Sequence, residues 1–336
     1  MMESSRSLRV AVIDENAGNL NAFTRILEKI GGVEPLTFSS APAALTQLAE
    51  TDVSLLIMDH HLPPVDGDEV ITKFRALTGK ADVPVLVVSD DPAPESRHRM
   101  VERGATMVLQ KPVDRIELTA IVKHLLHMRT ETRRLRHELE GAVDRTCVAA
   151  LLGTAKLRDR GLFSHLESVA ELSATLAAML GMKPESISQV RLASRLHDIG
   201  KLVWQDRILT SREMLASHDR VEVQAHADAG ANLLAAFANS PTLRLAAEMA
   251  RSHHERLDGT GYPRGLKADQ ISTEVRIVSV ASAFVAMRSP RPYREPLGIS
   301  VALTHIQGLK DAAYDAEVVQ ALQNTMTAPV SGETRT

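Results

Sequence analysis

Short β-rich apolar runs alternate with helical segments through the first 125 residues, and this alternation restricts the possible folds more than any other feature of the chain. The apolar runs occupy residues 8–13, 53–58, 83–88 and 106–109. Segments with helical periodicity, such as 20–30, lie between them. This order is typical of a doubly wound α/β fold, in which helices connect parallel strands. We therefore predict a five-stranded parallel sheet of this kind over residues 1–125.

Polar residues follow the apolar runs at the points where the predicted strands end. They are, in chain order, Asp14, Glu15, Asp59, Ser89 and Lys111. The carboxyl ends of parallel strands meet at one edge of a sheet, where functional residues collect. Clustered carboxylates can hold Mg²⁺ while one of them attacks phosphorus, and a lysine and a hydroxyl can then bind the phosphoryl oxygens. One such residue alone is usually a solvated loop carboxylate, but five in this order favour a phosphorylation site.

The sequences VAVIDE, LLIMDHHLPPVDG, VPVLVVSD and VLQKP resemble two-component receiver domains over essentially this whole segment. The resemblance implies that a sensor histidine kinase phosphorylates Asp59, with bound Mg²⁺ and the other four strand-end residues in support. The chain departs from many receivers at Val108, where they have an aromatic residue that rotates inward upon phosphorylation. His60 and His61 follow the acceptor and are expected to be exposed loop imidazoles.

From Ile116 to residue 152 the chain has no proline and one internal glycine, Gly141. We predict that the receiver's last helix continues through a helical linker at 126–150. Its residues with alternating spacings of three and four are Leu125, Met128, Thr132, Leu135, Leu139, Ala142, Thr146 and Ala149. Such a seam predicts a parallel homodimer, through which phosphorylation would act on the second half. The alternative is one amphipathic helix packed on its own protomer, which the polar and small seam residues favour.

From about residue 151 the chain changes to helical periodicity with few β-rich runs, as in SHLESVAELSATLAAMLGM and ISQVRLASRLHDIGKL. This pattern predicts an all-α helical bundle over 151–326. The segment 327–336 is small and polar, and we expect it to be a disordered tail.

Histidine is the unusual feature of the composition, because thirteen histidines occur in a chain with 3% aromatic residues. In the second half the adjacent pairs His197-Asp198 and His253-His254 stand out. Neutral imidazoles and a carboxylate suit iron, manganese, zinc or nickel, and Asp198 could bridge two ions through its two oxygens. A lone helical histidine is more often a surface residue, but these clusters favour a binuclear phosphodiester hydrolase.

The motifs HDIGK at 197–201, QAHADAG around His226, HHERLDGTGYPRGL at 253–266 and RPYR at 291–294 resemble the HD-GYP family over about 155–325. The resemblance implies hydrolysis of the bacterial second messenger cyclic di-GMP to pGpG or GMP by two metal ions, with iron or manganese expected. The implied metal ligands are His165, His197, Asp198, His226, His253 and His254. Asp198 and Lys201 are the implied catalytic residues. The implied substrate-binding residues are Lys201, Tyr262, Arg291 and Arg294.

Two positions depart from the ligands of this family. Sites with three metals carry a glutamate where this chain has Gly161, and an aspartate usually completes the first metal's shell where it has Ser282. Val285 also stands where an acidic residue is common. Three hypotheses follow: a working binuclear phosphodiesterase, a degenerate module that binds cyclic di-GMP or a partner protein through its GYP loop, and a hydrolase of monomeric nucleotides. The last would not need the GYP loop.

Charge and cysteine content exclude other classes of protein. The 39 basic and 42 acidic residues give a net charge of -3, so no global field favours DNA or an anionic membrane. Cys147 is the single cysteine, which excludes an intramolecular disulfide framework and fits a reducing cytoplasm. No segment approaches the ~20 apolar residues that a transmembrane helix needs.

Overall fold

The computed structural model describes residues 7–91, 93–209, 219–237, 239–290 and 295–327. The chain divides into two compact units, at Met1–Glu138 and Leu139–Thr336. The boundary between them falls inside the linker predicted at 126–150. We call them the N-terminal unit and the helical unit.

A parallel sheet of five strands forms the centre of the N-terminal unit. The strands are β1 (Leu8–Ile13), β2 (Val33–Phe38), β3 (Leu55–Asp59), β6 (Val85–Ser89) and β7 (Met107–Gln110), and their order in the sheet is β2-β1-β3-β6-β7. Two short strands, β4 (His61–Leu62) and β5 (Val65–Asp66), pair antiparallel after β3. The predicted doubly wound sheet is confirmed. Strand β2 is absent from the predicted apolar runs because it is an edge strand that contains Glu34 and Pro35 and is only partly buried.

Helices cover both faces of the sheet, and each face has its own apolar core. The helices are α1 (Ala17–Leu27), α2 (Ala41–Glu50), α3 (Gly67–Ala76), α4 (Pro94–Glu102) and the first part of α5 (Arg115–Arg158). Phe74 and Met58 lie in one core, and Leu27, Leu86 and Val122 lie in the other. Strands β3 and β6 are buried on both faces, as expected of central parallel strands.

Helix α5 is continuous over 44 residues, which confirms the predicted long helix between the two halves. Its first turns pack on the sheet through Leu118, Val122 and Leu125. Leu125 was predicted in the coiled-coil seam, and that assignment is wrong because its side chain is buried against the sheet. Farther along, Met128, Thr132, Leu135, Leu139, Thr146 and Ala149 are exposed, and Ala142 is half-buried.

The helical unit confirms the predicted all-α bundle. Its α-helices are the end of α5, α6 (Arg160–Met179), α7 (Pro184–Ser194), α8 (Asp206–Leu209), α9 (Arg220–Gln224), α10 (His226–Ala235), α11 (Pro241–Ser252), α12 (Thr273–Arg288), α13 (Ile299–Gly308) and α14 (Ala316–Thr327). Two 3₁₀ helices, Ile199–Val203 and Ala268–Gln270, lie between them. Asp159 caps α6 by accepting hydrogen bonds from the backbone N–H groups of Gly161 and Leu162.

The apolar faces of these helices meet in one core, which includes Leu166, Leu176, Val280 and Leu322. Thr327 ends helix α14, so the tail assignment is wrong at its first residue, and 328–336 lie outside the described residues. No helix in the described part of the chain has the length and apolar character needed to cross a membrane.

Candidate functional site

In the N-terminal unit, the carboxyl edge of the sheet brings together four of the five strand-end residues predicted there. Asp14, Asp59 and Ser89 are buried at or next to the ends of β1, β3 and β6. Lys111 Nζ donates a hydrogen bond to Asp59 Oδ2 at 2.7 Å. Burial alone would lower the pKa of Lys111, but its contact with the Asp59 carboxylate outweighs burial and raises that pKa. Glu15, beside Asp14, is exposed.

His60 differs from the expected exposed loop residue. Its side chain is 18% exposed, and its Nδ1 lies 3.5 Å from Ser89 Oγ, whereas His61 is exposed. The β4–β5 hairpin folds back so closely that a Cβ at Gly67 would lie 2.4 Å from the His60 carbonyl oxygen. No local sequence signal shows this return of the chain. Val108 is half-buried and packs against the apolar core, with no aromatic ring at that position.

In the helical unit, six histidine and aspartate side chains from distant segments converge on one centre. His165 lies on α6, His197 and Asp198 precede the 3₁₀ helix Ile199–Val203, His226 begins α10, and His253 and His254 follow α11. Asp198, His226, His253 and His254 form one group whose ligand atoms lie within 4.8 Å of one another, and His165, His197 and Asp198 form a second. Asp198 is therefore common to two groups with the spacing of metal ligands.

The two oxygens of Asp198 face different imidazoles. Asp198 Oδ1 lies 3.1 Å from His226 Nε2 and 3.4 Å from His253 Nε2. Asp198 Oδ2 lies 3.5 Å from the Nε2 atoms of both His165 and His197. A carboxylate placed in this way can bridge two metal ions, each with its own imidazoles.

The far nitrogens of three of these imidazoles bond to backbone carbonyls. His197 Nδ1 lies 2.8 Å from Ser194 O, His253 Nδ1 lies 2.9 Å from Met249 O, and His226 Nδ1 contacts Val223 O. A carbonyl only accepts, so each Nδ1 carries the proton and each Nε2 presents a lone pair to the centre. These three Nε2 atoms and Asp198 Oδ1 are buried and have no hydrogen-bond partner in the described part of the chain. Buried polar atoms left in this state fit a metal ion.

The protonation states also suit a metal. Burial lowers the pKa of His197, lowers that of His253 to about 4, and lowers that of His254 well below its usual value. Burial alone would raise the pKa of Asp198, but Lys201 and the surrounding imidazoles hold it well below its usual value. Neutral imidazoles and an ionised carboxylate are the forms that bind divalent cations.

Gly200 allows the motif HDIGK to approach helix α10. A Cβ at residue 200 would lie 1.9 Å from the carbonyl oxygen of His226 and 2.6 Å from the backbone nitrogen of Gly230. Only a residue without a side chain permits this backbone contact. The contact brings His226 to the oxygen of Asp198.

Glu255 anchors the loop that contains Tyr262. Its carboxylate is buried and accepts hydrogen bonds from the backbone N–H groups of Arg264, at 2.7 Å, and Leu266, at 2.9 Å. The Tyr262 ring then stacks on His254, with centroids 4.6 Å apart and planes 19° apart. Burial raises the pKa of Tyr262, so its hydroxyl stays protonated.

The remaining predicted site residues differ in their placement. Lys201 contacts Asp198 directly, so the ammonium group lies at the centre. Ser282 is buried on α12, and Gly161 is exposed in the first turn of α6. Arg291 and Arg294 lie outside the described residues. Val285 is half-buried.

Sequence reasoning overlooked two residues next to the centre, Glu255 and Trp204. The Trp204 ring packs against His226 with centroids 5.6 Å apart. Its position three residues after Lys201, as the only tryptophan of the chain, was the available signal.

Comparisons with known proteins agree with this arrangement. The profile of the "Response regulator receiver domain" family matches residues 10–123, and that of the "HD domain" family matches residues 149–318. The chain belongs to the two-component response regulators that join a receiver to an HD domain of the HD-GYP type.

Named relatives share most of this architecture. The chain is 28% identical over 333 residues to the cyclic di-GMP phosphodiesterase response regulator RpfG of Xanthomonas campestris pv. campestris, covering 94% of this chain and 87% of that one. It is 32% identical over 335 residues to a cyclic di-GMP phosphodiesterase of Thermotoga maritima, covering 94% and 89%. It is 38% identical over 162 residues to the 3'3'-cGAMP-specific phosphodiesterase 3 of Vibrio cholerae, covering 48% and 35%.

Proposed function

We propose that this protein hydrolyses cyclic di-GMP, to pGpG or onward to GMP, at a binuclear metal site in the helical unit under the control of Asp59 phosphorylation. The observation that carries the proposal is the placement of Asp198 between two separate groups of imidazoles. The activity named for the Xanthomonas and Thermotoga relatives, which match 94% of this chain, supports the choice of substrate.

The donor set assigns ligands to two ions. His165 and His197 with Asp198 Oδ2 would hold one, and His226, His253 and His254 with Asp198 Oδ1 the other. Imidazole and carboxylate donors suit iron or manganese in these positions. Bound there, two divalent ions would supply charge neutralisation for the phosphodiester and activation of the attacking water.

The other residues of the site bind and orient the substrate. Lys201 lies beside Asp198, where its ammonium can neutralise a nonbridging phosphate oxygen. Tyr262, fixed by stacking on His254, bounds the pocket on the side of the GYP loop. Arg291 and Arg294 are proposed to grip phosphate oxygens with their forked guanidinium groups.

A second function, a binding module with little or no turnover, is favoured by Ser282. This neutral side chain is buried on α12, at the position where the family usually supplies an anionic ligand. The two groups of ligands then share one carboxylate between two divalent ions. In this alternative the protein would bind cyclic di-GMP or a partner protein through its intact GYP loop.

Turnover by the intact protein distinguishes these two functions. We expect protein purified without oxygen to hold two transition-metal ions per protomer and to hydrolyse cyclic di-GMP. We expect Ser282→Asp to tighten metal binding by about 10–100-fold, because it restores an anionic ligand to a cationic cluster. Metal content by mass spectrometry and product formation by chromatography are the measurements.

The result that would overturn the enzyme proposal is a fully metal-loaded wild-type protein without turnover. If Ser282→Asp then restores hydrolysis, the chain is a degenerate module whose lost ligand is known. Thr273→Asp, an acid introduced at the first residue of the same helix, serves as the matched control and is expected to leave metal affinity unchanged.

In the N-terminal unit, we propose that a sensor histidine kinase transfers a phosphoryl group to Asp59. Asp14, with Glu15 beside it, would hold Mg²⁺ next to the acceptor. Lys111, already bonded to Asp59, and Ser89 would bind the phosphoryl oxygens. This role implies a cytoplasmic location, where such kinases present their phosphoryl groups.

We further propose that two copies pair in parallel through helix α5, in the linker placed at 126–150 between a receiver at 1–125 and an HD-GYP domain at 151–326. Leu135 is 57% exposed and Leu139 is 66% exposed, on a helix with exposed apolar or small residues at coiled-coil spacing. Pairing would bury these side chains, and phosphorylation of the receiver would change the pairing.

Introducing charged residues into this seam tests whether two copies pair through helix α5. We expect the double variant Leu135→Glu and Leu139→Glu to weaken dimerisation by at least about 100-fold, because unpaired charges would face each other in the seam. Leu157→Glu, on the same helix and 92% exposed but beyond the seam, is the control and should dimerise like the wild type. Sedimentation equilibrium measures both.

Phosphorylation is tested with the same preparations. Beryllofluoride, a phosphoryl mimic, is expected to change dimerisation and turnover of the wild type and to have no effect on Asp59→Asn. Dimers that persist in the double variant, or a mimic that changes neither property in the wild type, would rule out this mode of control.

A further inference from the structure

Trp204 lies at the edge of the metal centre, directly after the 3₁₀ helix Ile199–Val203. Its ring centroid is 5.6 Å from that of His226, with the planes 76° apart. Lys201 Nζ lies over the indole ring, 5.3 Å from its centroid. The indole therefore borders both a proposed metal ligand and the ammonium group proposed to bind a substrate phosphate.

Four rings form a continuous row across this part of the site. They are Trp204, His226, His254 and Tyr262, with successive centroid distances of 5.6, 5.1 and 4.6 Å. The two inner rings are proposed metal ligands, and the two outer rings offer stacking surfaces on either side of them. A cyclic dinucleotide carries two purine bases on one small phosphodiester ring. Two aromatic surfaces that flank one reacting centre match this arrangement of bases.

The backbone at Trp204 is fixed by a residue at the end of helix α5. Arg158 Nη2 donates a hydrogen bond to the carbonyl oxygen of Trp204 at 2.9 Å, and Arg158 forms an ion pair with Asp206 at 2.8 Å. The ring itself is only half-buried. The backbone that carries the ring is therefore held before a ligand arrives, which lowers the entropy cost of binding.

The indole N–H provides an independent sign of a ligand. Trp204 Nε1 is buried and has no hydrogen-bond acceptor among the residues that the structure describes. Tryptophan N–H groups usually find a partner when buried, and an orphaned donor beside a binding centre fits an acceptor that the ligand brings. The indole N–H points along the ring plane, so a phosphate oxygen of a dinucleotide whose base stacks on the ring face is such an acceptor.

We infer that Trp204 is a specificity-determining residue that stacks on one purine base of the cyclic dinucleotide, opposite the base that lies against Tyr262. This inference rests on the proposed function and names a contact that the catalytic residues do not provide. Stacking on a base remote from the broken bond stabilises substrate and transition state equally, so it lowers KM and leaves kcat unchanged.

Fluorescence of the full-length, metal-loaded protein reports the contact directly, because Trp204 is the only tryptophan. We expect a nonhydrolysable phosphorothioate analogue of cyclic di-GMP to quench the emission, with a midpoint equal to the Kd from calorimetry. Inorganic phosphate at the same concentrations should leave the emission unchanged. Binding in calorimetry without a change in emission would overturn the inference.

Steady-state kinetics supply the second readout. Trp204→Ala is expected to raise KM for cyclic di-GMP about tenfold, with kcat and metal content unchanged, and Trp204→Phe to keep most of the affinity. A fall in metal content or kcat at constant KM would show that the ring only supports His226, and the inference would be wrong. If the wild type neither binds nor hydrolyses cyclic di-GMP, the proposed function itself fails, and this inference fails with it.

Discussion

Asp198→Ala is expected to empty both proposed metal sites and to lower hydrolysis of cyclic di-GMP by at least about a thousandfold. One oxygen of Asp198 lies 3.1 Å from His226 Nε2, and the other lies 3.5 Å from the Nε2 atoms of His165 and His197. The substitution removes the carboxylate that both groups share and takes from Lys201 the counter-charge that it contacts. Metal content per protomer and turnover are the two measurements.

Asp228→Ala is the matched control for this substitution. Asp228 is also an aspartate of the helical unit, but it is exposed on α10 and pairs with Arg251 at 3.1 Å. Exposed ion pairs contribute about 0–1 kcal/mol to stability, so this variant should keep its metal and its turnover. Turnover that survives Asp198→Ala would contradict the binuclear mechanism.

Gly200→Ala is expected to destabilise the helical unit by about 1–3 kcal/mol or more and to displace His226 from the metal centre. The new Cβ would lie 1.9 Å from the carbonyl oxygen of His226 and 2.6 Å from the backbone nitrogen of Gly230. Both neighbours are backbone atoms, so no side-chain rotation relieves the overlap, and the 3₁₀ helix must move away from α10. Urea denaturation of metal-free protein, followed by Trp204 emission, measures the loss of stability.

Gly153→Ala provides the contrast for Gly200→Ala. Gly153 lies in helix α5, and a Cβ at this position would meet no atom within 4 Å. Alanine in a helix interior is favoured over glycine by about 1 kcal/mol, so this variant should be as stable as the wild type or more stable. A Gly200→Ala protein with the denaturation midpoint and metal content of the wild type would show that the close approach is not required.

Much of the fold was predictable because its signals are local. Central strands such as β3 and β6 are continuous apolar runs, and their burial on both faces demands that pattern. Edge strand β2 is partly exposed and contains Glu34 and Pro35, so its sequence has no comparable pattern. The helical spacing of the second half predicted the bundle for the same local reason.

Helix α5 shows where a local pattern fails. The spacing of three and four placed Leu125 and Leu139 in one seam, because spacing shows which residues share a helix face and not what covers that face. In the structure the sheet buries Leu125, whereas Leu139 stays exposed. Which part of the protein packs on a helix face is decided by the tertiary structure.

The candidate site divides in the same way. The pairs His197-Asp198 and His253-His254 were predictable because their residues are adjacent in the chain, so that the sequence alone shows two possible metal-binding groups side by side. Trp204 and Glu255 were not predictable. The roles of these two residues depend on contacts with residues distant in sequence, the His226 ring for Trp204 and the backbone N–H of Arg264 for Glu255.

The sequence by itself determined the kinds of side chain and their order: an aspartate at a strand end, a long helix, and imidazoles with one carboxylate in short motifs. Only the tertiary structure decided that the two oxygens of Asp198 face different imidazoles, and that a glycine at 200 is needed for His226 to reach them. The physical reason is distance along the chain. A motif or a periodic pattern can be recognised within a short stretch of sequence. The distance between donor atoms on different helices depends instead on how those helices pack.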